Sequence, residues 1–313
     1  MRVTALAGGI GAGKFLRGLV RAVGAEHVTA IVNTADDVEM HGLHVCPDLD
    51  SVTYWLGDVF DRERGWGRRG ETFRATEELR GFDPEVAWFN LGDLDLATHL
   101  FRTRLLREGT PLSAVTERVT AHFGIASRLL PMSDDPVTTR IDVLVDGEEV
   151  DLHFQEYWVR RHAQDEVKHV RYAGAVSASP APGVLEGLLE ADAIVICPSN
   201  PVASIGPILA VAGIREVLAR RRDVVVGISG IVRGAPLAGM ADKLMPALGV
   251  EVTAAGAAAC YRGLLGAWVI DEADRGLEPR IKASGVRVGV TDTIMTDDVA
   301  AEALARFALG LVR

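Results

Sequence analysis

The segment VTALAGGIGAGKFLRGLVRAV, residues 3–23, decides the fold. Val3 to Ala7 is a short apolar run that stops at Gly8-Gly9, and Phe15 to Val23 carries its apolar residues at helical spacing, so the chain opens as strand, glycine loop and helix. Val28 to Val32 reads as the next strand. A parallel βαβ start of this kind carries the loops that follow its strands to one rim, where open α/β sheets bind ligands. Gly8 to Lys14 and Asn33 to Asp37 are therefore expected to be neighbours in space.

Outward from this start, strands are expected at Val86 to Leu91, Arg128 to Leu130, Ala193 to Cys197, Val224 to Ile228 and Ala267 to Ile270. Helical patterns such as Leu112 to Phe123 and Ile205 to Arg220 separate them, an alternation that predicts an α/β fold with a mostly parallel sheet flanked by helices. Ile141 to Val145 and Val150 to Phe154 flank Asp146-Gly147 and read as a hairpin, which interrupts the βα rhythm. Residues 115–172 are accordingly expected to form an inserted smaller α/β subdomain within a principal domain of residues 1–114 and 173–313.

The chain has 313 residues, 48% of them apolar, which is enough for a large core. Its formal net charge is -10, from 33 Lys and Arg against 43 Asp and Glu, which argues against a duplex nucleic-acid partner. The 3 cysteines, Cys46, Cys197 and Cys260, lie far apart and form no C-x-x-C pair for zinc or redox chemistry, so a reducing cytoplasm is expected. No uninterrupted apolar stretch approaches bilayer length, and the expectation is a soluble protein without a membrane partner.

Several motifs carry possible chemistry. Gly8 through Lys14 nearly completes a Walker A pattern, but Phe15 stands where Ser or Thr would ligate magnesium, and Lys14 stands where a dinucleotide fingerprint needs its third glycine. What remains is either a phosphate-binding glycine loop at a helix N-terminus, built on Gly9, Gly11, Gly13 and Lys14, or a tight strand-to-helix turn. The next rim carries Asn33-Thr34-Ala35-Asp36-Asp37 and then Cys46-Pro47-Asp48-Leu49-Asp50. Each Asp alone reads as a helix cap or turn residue, but Asp36, Asp37, Asp48 and Asp50 converging on one edge would repel one another, and a divalent cation is their natural partner. Leu91-Gly92-Asp93-Leu94-Asp95 again sets polar groups on the rim, followed by Thr98, His99 and Arg102; His99 and Arg102 share a helix face. Leu130 to Pro136 is a proline-bounded polar turn. Ser199, Asn200, Ser204 and Ile205 lie in a proline-stiffened loop suited to a nucleotide base or diphosphate, with a capped turn on Ser204 as the plainer alternative.

Taken in order, GGIGAGK, NTADD, HGLHVCPDLD, LGDLDLATHL, LLPMSDDPVTT, HFQEYWV, PSNPVASIGPILAV and GMADKLMP resemble the 2-phospho-L-lactate transferase family over nearly the whole chain. The resemblance implies a Rossmann-like domain with an added subdomain, magnesium as the metal, and a homodimer. It also implies a reaction in which the ribityl hydroxyl of the deazaflavin FO attacks the guanosine diphosphate ester of lactate or enolpyruvate, giving coenzyme F(420)-0 or its dehydro form and GMP. Carried onto this chain, it implies Asp50 and Asp48 as catalytic residues and Asp50, Asn90, Asp93, Thr98 and His99 as contacts of FO. Gly9, Gly11, Gly13, Lys14, Asn33, Thr34, Ser199, Asn200, Ser204 and Ile205 would hold the nucleotide, and Asp36, Asp37, Asp48 and Asp50 the metal. Asn90 stands where archaeal relatives usually have a basic residue, and the wording HGLHVCPDLD and FDRERGWG leans toward the phosphoenolpyruvate donor. Two rivals share parts of the pattern. One is a nucleotide-sugar-binding regulator of the gluconeogenesis-factor type, whose ADDGG run is absent here; the other is a P-loop phosphotransferase using GTP, which Phe15 opposes.

Overall fold

The computed structural model describes residues 1–85 and 88–312. All of Val3–Ala7 is buried, as expected of a strand covered on both faces, and neighbouring strands share this unbroken apolar character. From the N-terminus, β1 (Val3–Ala7), α1 (Gly9–Val23) and β2 (Val28–Val32) precede a small hairpin, β3 (Val38–Met40) and β4 (Leu43–Val45). Helices α2 (Pro47–Leu56), α3 (Arg74–Phe82), α4 (Asp93–Arg107) and α5 (Leu112–His122) follow, then β5 (Arg128–Pro131), β6 (Thr138–Val145), β7 (Glu148–His153) and β8 (Glu166–Ala173). Next come α6 (Val184–Glu190), β9 (Ala193–Ile196), α7 (Gly206–Ala210), α8 (Ile214–Arg220), β10 (Val225–Ile228), β11 (Ile231–Val232) and β12 (Ala235–Pro236). The chain finishes with α9 (Ala241–Ala247), α10 (Ala254–Ala259), β13 (Ala267–Asp271), α11 (Glu278–Lys282), β14 (Arg287–Thr291) and α12 (Asp298–Gly310).

The principal sheet has 7 strands in the order β14-β13-β10-β9-β1-β2-β5, all parallel. Side chains alternate between its faces: Leu6, Ile31 and Ile196 enter one apolar cluster, while Ala5, Ala7, Ala30 and Val32 enter the other with Phe15 and Leu16 of α1. An antiparallel sheet, β7-β6-β8, packs Ile141, Val143 and Leu152 into the first cluster, joined by Phe154 just after β7. Its two-residue turn, Asp146 at φ 51 and Gly147 at φ 88, has the left-handed pair a tight hairpin requires.

Three sequence expectations need correction, and one strand was not expected. The small sheet begins at Thr138, whereas β5, which an insertion of residues 115–172 would include, pairs with β2 at the edge of the principal sheet. The helix expected from Ile205 to Arg220 is broken: Val211 is extended and Gly213 takes φ 84, so Pro201–Ala210 and Ile214–Arg220 meet at 93°. Periodicity cannot reveal this, because both pieces bury apolar faces. The strand expected from 86 to 91 starts on two residues outside those described, and residues 88–91 run as turn and loop. Trp88, Phe89 and Leu91 pack with Met40 and Val45 in a satellite cluster away from the sheet. Finally, β14 escapes the sequence reading because Gly289 interrupts it and its outer residues are half-exposed at the edge.

Among the described residues no single helix is long and apolar enough to cross a membrane. Helices α1 and α12 cross where Gly18 lies against the backbone: an added Cβ would sit 2.2 Å from the Ala301 carbonyl carbon and 2.5 Å from the Glu302 nitrogen. Gly18→Ala is therefore expected to lower stability by about 1–3 kcal/mol, seen as a lower urea midpoint at unchanged m-value. A midpoint equal to that of the native chain would mean that the helices separate freely.

Candidate active site

The strand order reverses between β1 and β9, so the segments that follow these strands border a crevice at the sheet's carboxyl edge, the usual ligand position in such sheets. After β1 the chain turns at once. Gly9 takes φ 73 and already belongs to α1, so Gly11 and Gly13 are helical residues and not parts of a wrapping loop. They serve close approach instead: a Cβ on Gly11 would lie 2.7 Å from the Pro198 carbonyl oxygen, and one on Gly13 2.4 Å from Trp55 Cδ1. The N-terminus of α1 meets an acid, because the Gly9 amide donates to the Asp48 carboxylate. Lys14 is half-buried and forms no ion pair among the described residues.

Beyond β2, the buried Asn33 amide donates to Asp36 Oδ1 at 2.6 Å, to Asp48 Oδ2 at 2.9 Å and to the Ala203 carbonyl at 3.3 Å. Its own oxygen accepts from the Ala35 amide at 3.0 Å. Asn33 thus ties three segments together, with Thr34 buried beside it. Burial pushes Asp48 up to about 7, and burial together with the neighbouring Asp48 charge holds Asp36 well above the ordinary carboxylate range. Two such buried oxygen donors without a Lys or Arg partner have the chemistry to hold a hard divalent ion. The antiparallel sheet closes over this turn: the Thr139 amide donates to the Ala35 carbonyl at 2.7 Å, and His153 Nε2 to the Asp37 carbonyl at 3.1 Å.

Asp37 and Asp50 are engaged elsewhere, so the carboxylates expected at one metal do not meet as a foursome. Asp37 Oδ2 accepts from Cys46 Sγ at 2.9 Å and lies 3.1 Å from His44 Nε2. Asp50, in the first turn of α2, forms a buried two-point ion pair with Arg102 of α4. Arg102 can only donate, so its contact at 3.2 Å makes His99 Nδ1 an acceptor and leaves the ring proton on Nε2. Burial pushes His99 down to about 4, which keeps it neutral at pH 7. Thr98, one residue before, receives the Tyr54 hydroxyl at 3.2 Å, and Asp95 beside Tyr54 is pushed up to about 7 by burial.

The remaining expected residues divide. Asn90 is exposed; it accepts from Arg80 at 3.0 Å and lines a cleft of about 240 Å³ with Arg64, Trp66 and Phe73. Asp93 accepts from the amides of Arg74 and Ala75 and so serves as the cap of α3. Ser199 Oγ donates to the Gly8 carbonyl at 2.9 Å, and Ser204 is buried against Gly8, where an added Cβ would come within 2.5 Å of its Cβ. Asn200 Oδ1 caps the turn Pro201–Ile205 through the amides of Val202 and Ala203, and Ile205 is buried in the core. The cap expected from Ser204 is therefore supplied by Asn200.

Sequence reasoning missed Glu71, whose carboxylate receives the Leu94 and Asp95 amides at the start of α4 and leaves no room for a side chain at Gly92. Arg102, on the His99 face of α4, has a role that spacing does not reveal, since its partner Asp50 lies on another helix. Asp37 Oδ1, Asp95 Oδ1 and Thr139 Oγ1 are buried without a partner among the described residues. Each such atom costs roughly 1–3 kcal/mol unless a ligand or water satisfies it.

Three comparisons bear on this arrangement. A crystal structure of a Bacillus halodurans protein matches with TM-score 0.63 at 19% identity over 100% of this chain and 99% of that one; a second, described as a member of the UPF0052 family, matches with TM-score 0.60 at 17% identity over 97% and 98%. These show the fold alone. In sequence the chain is similar to the phosphoenolpyruvate transferases of Streptomyces griseus, at 51% identity over 99% of this chain and 98% of that protein, and of Mycolicibacterium smegmatis, at 42% over 99% and 98%. Matched from residue 3 to residue 302, this chain belongs to the 2-phospho-L-lactate transferase CofD family.

Proposed function

We propose that this transferase moves a phosphoenolpyruvyl or 2-phospholactyl group from its guanosine diphosphate ester to the ribityl hydroxyl of FO. The new bond joins the ribityl oxygen to the phosphorus that carries the three-carbon acid, the diphosphate P–O bond breaks, GMP leaves, and the hydroxyl proton passes to a rim carboxylate. The observation that carries this reading is the buried Asp36–Asn33–Asp48 bridge at the strand-order reversal, joined to family membership. The names of the Streptomyces and Mycolicibacterium relatives favour the phosphoenolpyruvyl donor.

Asp36 and Asp48 fit magnesium, since both are hard oxygen donors whose charges are uncompensated apart from hydrogen bonds; when bound, the ion would neutralise diphosphate oxygens. Asn33 orients the two carboxylates. The helix start at Gly9 and the nearby Ser199 hydroxyl lie beside them for the diphosphate, with Lys14 one turn further along α1. Asp50 with Thr98 and His99 is the face assigned to FO, where Arg102 fixes the Asp50 carboxylate and neutral His99 can donate from Nε2. Asp50 is the proton acceptor in this reading. The contribution of residues here is positioning and charge neutralisation, which phosphoryl transfer chiefly needs. Exposed Leu94, Leu100 and Phe101 on α4 support the homodimer, and the free cysteines Cys46, Cys197 and Cys260 support a cytoplasmic setting.

The direct test incubates the protein with FO, the guanylated enolpyruvate or lactate, and magnesium. GMP and a heavier deazaflavin are expected, and the product mass distinguishes the donors by two hydrogens. Asp50→Ala and Asp48→Asn should each lower turnover by at least the ~10²- to 10⁴-fold associated with acid–base help. Absence of GMP and of a new deazaflavin with either donor overturns the proposal, and nucleotide-sugar binding without turnover would place the chain with the binding regulators.

A pH prediction follows from Asp48. Its folded value of about 7 exceeds the roughly 3.9 of an unfolded Asp. Between these values the folded chain binds the extra proton, so without divalent cations this contribution to stability is complete below pH ~4 and lost as pH rises to ~7. Asp48→Asn lacks it. In urea unfolding with chelator, the stability of the native chain relative to this variant should fall from pH 4 to pH 7, and magnesium should restore it most at the upper end. A flat difference would show that Asp48 titrates normally.

A further inference from the structure

Asp37, His44 and Cys46 meet where the base of the β3–β4 hairpin joins α2. Asp37 precedes β3, His44 pairs with Glu39 across the hairpin, and Cys46 is the residue before Pro47 at the helix start. Their donor atoms, a carboxylate oxygen, an imidazole nitrogen and a sulfur, all lie within 4.8 Å of one another. The Asp37 side chain is only 10% exposed, yet its Oδ1 has no partner, while Oδ2 alone takes both Cys46 and His44. The His44 side chain, 36% exposed, gives the cluster a way in from solvent.

We propose that Asp37, His44 and Cys46 form a second cation site, separate from the Asp36–Asp48 pair, that takes a thiophilic divalent ion of the zinc class. The donor set decides the class. Thiolate and imidazole select zinc-like ions, whereas magnesium prefers oxygen alone. Tetrahedral zinc separates a sulfur and an oxygen ligand by roughly 3.5 Å. The present 2.9 Å between Cys46 Sγ and Asp37 Oδ2 would therefore open by about 0.6 Å with Oδ2 as the ligand, and the unpartnered Oδ1 is left to join as the second oxygen of the same carboxylate.

Charge balance agrees. Arg102 is the nearby cation and is matched by Asp50, so the Asp37 carboxylate and a Cys46 thiolate would balance a dication. Binding releases one proton, from the Cys46 thiol, to solvent, and His44 carries its remaining proton on Nδ1. Because a proton leaves as the ion binds, affinity rises with pH. The ion would pin the hairpin base to the start of α2, the helix that carries Asp48 and Asp50.

The test titrates the metal-free full chain with cobalt(II), a spectroscopic stand-in for zinc, in excess magnesium. One equivalent should give a near-ultraviolet thiolate-to-cobalt charge-transfer band that zinc displaces and magnesium does not. The band should disappear in Cys46→Ser and persist in Cys197→Ser and in Asp48→Asn, which separates this site from the proposed function. His44→Ala should weaken cobalt binding by at least the ~10- to 100-fold that loss of an outer-sphere partner costs. If Cys46→Ser does not fold by circular dichroism, the His44→Ala titration decides. Absence of the band in the folded native chain, a band that survives Cys46→Ser, or unchanged affinity in His44→Ala overturns the proposal.

Discussion

One side-chain amide, that of Asn33, bridges two buried carboxylates, Asp36 and Asp48, that would otherwise face each other across the end of β2. Carboxylates desolvated side by side resist joint ionisation, and burial is the largest influence on both. An amide offers two N–H donors but no positive charge, so it orients the pair without neutralising it. A lysine in that place would satisfy the charge and cancel the demand for a cation. The same amide reaches the Ala203 carbonyl, and Asn33 is itself tied to β1 through its backbone, so the segments after β1, β2 and β9 are referred to one residue.

Around this bridge, close backbone approach does what larger side chains would prevent. Gly8 admits Ser204 and the Asp48 carboxylate, Gly11 admits the Pro198 carbonyl, and Gly13 admits the Trp55 ring. A glycine-rich signature after a strand therefore has two physical readings: amides wrapped about an anion, or a helix start pressed against neighbouring loops. Here the second accounts for Gly11 and Gly13, and the helix terminus at Gly9 already meets the Asp48 carboxylate. The antiparallel sheet completes the enclosure through Thr139 and His153, whose contacts are to backbone carbonyls of the acidic turn.

Much of this was legible before the structure because strand runs such as Val3–Ala7 and Ala193–Ile196 are buried on both faces and leave an unmistakable apolar signal. The acidic rim was legible for a related reason: NTADD and CPDLD stand at ends of elements on the ligand side of the sheet. What sequence could not supply was the partner of each carboxylate. Asp36 and Asp37 are adjacent, yet one turns toward Asn33 and the other toward His44 and Cys46, a distinction set by the turn and not by composition. Likewise, weighing the cysteines only against one another hid Cys46, whose neighbours are an acid and an imidazole. Asp93 looked like a site residue because it follows a glycine on the rim, but nearby amides of α3 claim it as a cap.

The Asp50–Arg102 pair is a different kind of constraint from the Asn33 bridge. Removing two charges from water costs several kcal/mol per ion, and an apolar pair of similar volume is often as stable, so fold stability alone does not explain placing this one in the interior. Position does. Arg102 holds both Asp50 oxygens, contacts His99 Nδ1 and lies 3.4 Å from the His44 carbonyl, so one planar cation sets the orientation of an acid on α2 and an imidazole on α4. A lysine, a single point of charge, could not impose both orientations. The rim thus joins a buried carboxylate pair without a basic partner to a carboxylate whose charge is already met, an asymmetry that the proposed transfer would use, with a cation at one end and a hydroxyl oriented at the other.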